Sequence, residues 1–245
     1  HSEYSTSTFD WPCPNQSKVD VEYSECPACR KFNGFTPAFY RVPRSSLSPQ
    51  QRRYNDRPHA VYLAHFGGDR IKVGISSVDR IRIRLMEQGA RVAYILVYCE
   101  SAYDARSIEA AISGVDGVSE VVHSKTKRAL LAMPFDGMSA LCRLRELGVR
   151  IAQRLSLSVR GECINCTRDY LLGGALEPSI ADVTSANPFR ISGTGIGIIG
   201  TVLIVATASR QYMASLSEAV GHIVTVAETV VPNPCVPGQT QLKLF

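Results

Sequence analysis

Two β-patterned runs, AVYLAHF at 60–66 and RIKVGIS at 70–76, stand three residues apart, and those three are Gly67, Gly68 and Asp69. No other feature restricts the folding of this chain as much. A turn that short joins the runs into one antiparallel hairpin and decides which side chains share a face. With a three-residue loop Phe66 pairs with Arg70, Ala64 with Lys72 and Tyr62 with Gly74. Tyr62 and Lys72 then leave the sheet on the same face as diagonal neighbours. Gly74, opposite Tyr62, leaves room for a ligand over the phenol, and a nearby ammonium would lower the phenol's pKa, or Lys72 could itself take a proton. A two-residue loop would send Lys72 to the other face instead.

The segment SSVDRIRIRLMEQG (76–89) predicts a helix capped by Ser76 or Ser77 and stopped by Gly89. The alternation from Arg80 to Leu85 would also suit a strand, but Val78, Ile81 and Leu85 share one helical face. RVAYILVYCE (91–100) reads as a buried strand, and AYDARSIEAAIS (102–113) as a short helix with Ala105, Ile108 and Ile112 inward. Helices are expected around 124–132 and 137–155, and 156–186 reads as connective. From 189 onward FRISGTGI, GTVLIVATA and HIVTVAE suggest a small antiparallel β unit. The expected parts are a proline-rich head (1–57), an α/β core with trailing helices (58–155), and a connective segment plus β unit (156–245).

At 245 residues with 45 % apolar and 20 % charged residues, the chain is neither disordered nor a coiled coil. The net charge of +5 is carried before residue 156: residues 58–155 hold fourteen bases against ten acids, and 156–245 five against six. An anionic partner would therefore meet the first two thirds. Nineteen uncharged residues separate Arg190 from Arg210. Four glycines and a β-branched second half make them a buried hairpin rather than a membrane span. The GxGxxG at 195–200 lacks the following helix that a dinucleotide site needs. The opening residues show no apolar core or cleavage pattern, and a cytoplasmic setting is expected.

Four of the eight cysteines form two Cys-x-x-Cys pairs, Cys26/Cys29 and Cys163/Cys166. In a reducing compartment that spacing points to metal before disulfide. Cys13, Cys26 and Cys29 would supply three thiolates to a structural Zn²⁺, with Cys163, Cys166 or His1 completing the set. Cys99 and Cys142 sit in apolar runs and are expected to be buried; His65 is read as structural. Lys125, Lys127 and Arg128 form a basic cluster suited to phosphate contacts. A longer stretch from Arg41 to Arg57 interleaves bases with Tyr40 and Tyr54.

The order strand, turn, strand, helix, strand, helix resembles the GIY-YIG nuclease superfamily. Ala60-Val61-Tyr62 stands where GIY stands and Lys72-Val73-Gly74 where YIG stands, as in some nucleases of that group with Lys at this place. An Arg on the next helix and Glu109 on the one after continue the pattern. The chain is most similar to an uncharacterised branch with cysteines ahead of the core, through Cys13-Pro14, Cys26-Pro27-Ala28-Cys29, Val61-Tyr62-Leu63-Ala64, Lys72-Val73-Gly74-Ile75, Gln88-Gly89-Ala90 and Thr126-Lys127-Arg128.

The resemblance implies a GIY-YIG-like core with a small antiparallel sheet and flanking helices, and cleavage of nucleic-acid phosphodiesters, DNA ahead of RNA. In that reading Tyr62 activates water with help from Lys72. Arg84, or Arg82 by counting from Gly74, steadies the phosphate, and Arg80 holds the substrate backbone. Glu109 holds Mg²⁺, which keeps most of its water shell. Two other functions fit the same residues: a non-catalytic nucleic-acid-binding module, and a repurposed core acting on a small phosphorylated metabolite. No membrane partner is expected.

Overall fold

The computed structural model describes residues 17–18, 26–28, 36–170, 176–177, 180–184 and 192–219. In chain order the elements are α1 (Pro49–Asn55), β1 (His59–His65), β2 (Ile71–Ser77), α2 (Ile81–Gln88), β3 (Val92–Cys99), α3 (Ala102–Ile112), α4 (Ser124–Leu131) and α5 (Gly137–Leu155). They continue with β4 (Glu162–Asn165), α6 (Thr167–Tyr170), β5 (Ala181–Asp182), β6 (Thr194–Ile199), β7 (Val202–Ala206) and β8 (Gln211–Ser215). The fold is mixed α/β, with largely antiparallel sheets and flanking helices.

The hairpin forms in the register that its loop dictates: Ala64 faces Lys72 and Tyr62 faces Gly74. The Phe66 amide closes the loop by donating to the Arg70 carbonyl at 3.3 Å. β3 pairs with the other side of β1, with a one-residue irregularity at Val61/Tyr62, and the sheet order is β2-β1-β3-β4. β1 is therefore central and buried along its whole length, which is why its sequence reads as a nearly continuous apolar run.

The two faces of this sheet have different cover. Val61, Leu63 and Val73 pack against Ala105 and Ile112 of α3 and Leu144 and Ile151 of α5. Tyr62, Ala64 and Phe66 pack against Leu85 of α2, Leu130 and Leu131 of α4, and Ile199, Val202, Ile204 and Met213 of the second sheet. That second sheet has the order β5-β8-β7-β6, with β5 and β8 parallel. Each strand side chain thus faces one of two separate cores, as the period of two requires.

Several expectations need correction. Ser76 and Ser77 do not cap a helix: they finish β2, both buried, and the Val78 amide donates to the Pro58 carbonyl at 3.0 Å. The chain then makes a 3₁₀ turn, Val78–Arg80, before α2 begins. Gly89 ends that helix, with φ 75°. Ala105 and Ile112 are buried, whereas Ile108 is only half-buried. Residues 162–170 are not connective. β4 joins the first sheet, and Tyr170 enters its core, donating its hydroxyl to the Ala90 carbonyl at 2.7 Å.

The uncharged stretch before Arg210 forms the β6–β7 hairpin, and among the described residues no helix is long and apolar enough to cross a membrane. The strand that follows is Gln211–Ser215; HIVTVAE (222–228) and the start of FRISGTGI lie outside the described residues. Gly200, at the hairpin tip, has φ 61°, and a Cβ there would sit 2.9 Å from the Gly89 amide nitrogen. That glycine lets the tip touch the end of α2 backbone to backbone.

Candidate functional site

Tyr62 leaves β1 where the register places it but is wholly buried. Its hydroxyl donates to Gln88 Oε1 at 3.3 Å. A Cβ on Gly74 would lie 2.6 Å from that hydroxyl oxygen. The space over Gly74 therefore belongs to the phenol itself, not to a ligand above it. Burial drives the Tyr62 pKa up to about 12, against a smaller downward pull from Arg84. The expected lowering by an ammonium is overturned because desolvation of the phenolate dominates.

Three cations gather beside this tyrosine. Lys72 is half-buried; burial and then Arg84 lower its pKa, while Glu109 and Glu120 oppose them. Lys127 donates to the Gln88 carbonyl at 2.7 Å and lies 4.6 Å from the centre of the Phe66 ring. Burial, then Lys72 and Arg84, push its pKa down to about 8. Neither lysine forms an ion pair with a carboxylate among the described residues.

The arginines of α2 now separate. Arg82 pairs with Asp169 at 2.7 Å, turned away toward α6. Arg80 holds Glu87 at 2.8 Å, and Arg84 reaches the same carboxylate only at 3.4 Å. Of the two rivals for the phosphate, it is Arg84 whose charge acts on Tyr62, Lys72 and Lys127.

Glu109 is buried on α3, and Arg106 donates to its Oε2 at 2.7 Å. Arg106 also reaches Glu120 at 2.9 Å and stacks 4.6 Å over the Tyr40 ring. Burial raises the Glu109 pKa, and Arg106 opposes the rise. α3 covers the sheet face opposite Tyr62, but β2 is the outer strand of the sheet. Glu109 is close enough to act on both Tyr62 and Lys72. Among the described residues no group of three or more His, Cys, Asp and Glu could enclose a metal ion. A Mg²⁺ held largely by its own water would need only the Glu109 oxygen that Arg106 leaves free.

The remaining candidates disperse. Lys125 is exposed, and Arg128 is committed to Asp182 at 2.7 Å, tying α4 to β5. Cys163 is exposed on β4 opposite Tyr94, whose ring belongs to the core under α5. Cys166 is buried in the other core, its thiol pushed up to about 11 by burial. The Cys163/Cys166 pair therefore straddles the sheet and does not converge on one ion. Cys26 is buried, and its expected co-ligands Cys13 and Cys29 lie outside the described residues. Cys142 is exposed and Cys99 half-buried, where both were expected inside.

Gln88 was not singled out as a functional residue, although Gln88-Gly89-Ala90 marks it. It links the Tyr62 hydroxyl to the Lys127 ammonium through its side chain and its backbone. Arg106 and Glu120 carried no sequence signal. A partly open cavity of about 160 Å³ lies beside Lys127, walled by Phe66 and Gln88 and, from the second sheet, by Ile199 and Thr201.

A family model described as "Protein of unknown function (DUF2797)" matches residues 50–208, a span that includes every candidate from Tyr62 to Arg128 and leaves out the cysteine head. No curated protein and no solved structure matches the chain.

Proposed function

We propose that this chain, which belongs to the DUF2797 family, hydrolyses nucleic-acid phosphodiesters with the aid of a divalent metal ion. The observation that carries this reading is the gathering of Lys72, Arg84 and Lys127: burial and the neighbouring cations lower the proton affinity of both lysines, and neither lysine has a carboxylate partner among the described residues. Like charges brought together and partly desolvated cost free energy, and an anion placed between them reverses the sign. A phosphodiester is the anion that such a cluster fits, and the same cations stabilise the charge that builds on its oxygens during hydrolysis.

In this reading Arg84 and Lys127 hold the non-bridging oxygens. Lys72, whose amine is eased toward its neutral form, takes the proton of the attacking water. The buried Tyr62 phenol acts instead as a positioning residue, orienting Gln88 and through it Lys127. Glu109 would hold Mg²⁺ by its free oxygen, and the ion would supply positive charge to the leaving oxygen.

A second reading, a non-catalytic nucleic-acid-binding module, is favoured by the Arg106 guanidinium lying on Glu109 and by the burial of Tyr62. Plasmid, single-stranded DNA and structured RNA incubated with Mg²⁺ separate the two. Hydrolysis requires that the unaltered protein cut at least one of these and that Glu109→Gln retain binding while losing cleavage by roughly 100-fold or more. Retention of polyanion with no cleavage establishes the binding module. No retention of any of them leaves the small phosphorylated metabolite.

A further inference from the structure

We infer that the cavity beside Lys127 receives one nucleobase of the strand whose phosphate lies on Arg84 and Lys127. This rests on the phosphodiester reading above and narrows it to a substrate with an unpaired base.

Three observations lead there. The first is size: about 160 Å³ is close to the ~150 Å³ cavity that accepts a single benzene ring. A single flat ring system fits. The second is the lining. Leu131 and Ile199 line it on the apolar side, and Ser124, Thr201 and Ser217 are among its polar lining residues. A wall shared about equally by polar and apolar groups selects a ring with carbonyl and amide edges over a hydrocarbon.

The third is continuity with the cations. Lys127 lines the cavity and belongs to the cluster that would hold the phosphate. Glu87, the partner of Arg84, lines it too. A base inside a duplex cannot enter such a recess, so the strand must be single or locally opened. The contact of Gly200 with Gly89 fixes the β6–β7 tip as one wall, which gives the second sheet a role in the site.

The test is fluorescence anisotropy of the full chain in EDTA with three labelled decamers of equal phosphate count: deoxythymidine, deoxyadenosine and abasic. The thymidine and adenosine decamers are each expected to bind at least about fivefold tighter than the abasic one, the scale of a single base contact. Thr201→Trp or Ser217→Phe, at exposed positions on the cavity wall, should bring thymidine to the abasic level and leave abasic binding unchanged. Equal affinities for all three decamers, or an equal loss for thymidine and abasic in the filled variants, overturn the inference while the phosphate site stands.

If the abasic decamer is not retained, the phosphodiester reading itself fails. Saturation-transfer NMR with the free nucleosides then judges the cavity alone. Transfer to either nucleoside upholds a base recess, and transfer to neither overturns it.

Discussion

Replacing Gly74 by Ala tests the placement of Tyr62 at atomic range. The new methyl would stand 2.6 Å from the Tyr62 hydroxyl oxygen, 2.7 Å from Cζ and 3.0 Å from Cε2. Ordinary carbon contacts lie at roughly 3.5–4.0 Å, so the ring must retreat by about 1 Å. It has little room, being fully buried among Leu85, Ile95 and Ile204. Overpacking of this kind costs about 1–3 kcal/mol, and loss of the Tyr62–Gln88 hydrogen bond adds about 1 kcal/mol. Relief of the strand glycine returns about 0.5–1 kcal/mol. The net expectation is about 2 kcal/mol, or a fall in Tm of roughly 4–8 °C for a chain of this size. Urea and thermal unfolding followed by circular dichroism measure it. In a Tyr62→Leu background the same substitution should cost under about 0.5 kcal/mol, because the obstructing ring is gone. A Gly74→Ala variant as stable as the parent, or one equally damaged in both backgrounds, refutes the reasoning.

The pH dependence follows from Lys127. Its pKa lies at about 8 in the folded chain against 10.5 when unperturbed. Oligonucleotide affinity should fall as pH rises through about 8, and Lys127→Met should abolish that step. Between those two values the unfolded chain binds more protons, so this residue makes the fold more stable as pH rises; affinity and stability move in opposite directions. Arg82→Ala should leave oligonucleotide binding unchanged and cost at most about 1 kcal/mol, since it breaks an exposed pair with Asp169; Arg84→Ala should weaken binding several-fold. In thiol titration of the native protein, Cys163→Ser should remove one fast-reacting group and Cys166→Ser none. Equal protection of both, released by a chelator, would restore the shared metal ion.

The hairpin was legible because Gly67-Gly68-Asp69 leaves one loop length, and a loop length settles a register. That in turn places Tyr62 and Lys72 on one face without any knowledge of the rest. The burial of Tyr62 was not legible, because its cover comes from Ile204 and Met213, far along the chain, and docking between distant elements leaves no local pattern. β4 escaped notice since Glu162–Asn165 is four residues with little apolar alternation. Cys163 and Cys166 show how spacing misleads: three residues apart suits a metal knuckle on a turn, but across the end of a strand it divides two faces. Lys127 and Arg128 are adjacent in sequence and about 100° apart around α4. One turns to Gln88 and the other to Asp182, so a basic run could not say which of its members faces the site.

The account rests most heavily on Arg84 and Lys127 meeting one phosphate chain. The direct measurement is the salt dependence of binding to a single-stranded oligonucleotide, for the parent and for Arg84→Met and Lys127→Met. Each substitution should flatten the log–log slope by about 0.7, the value for one lost contact with a single strand. Slopes that stay at the parental value in both variants would contradict it.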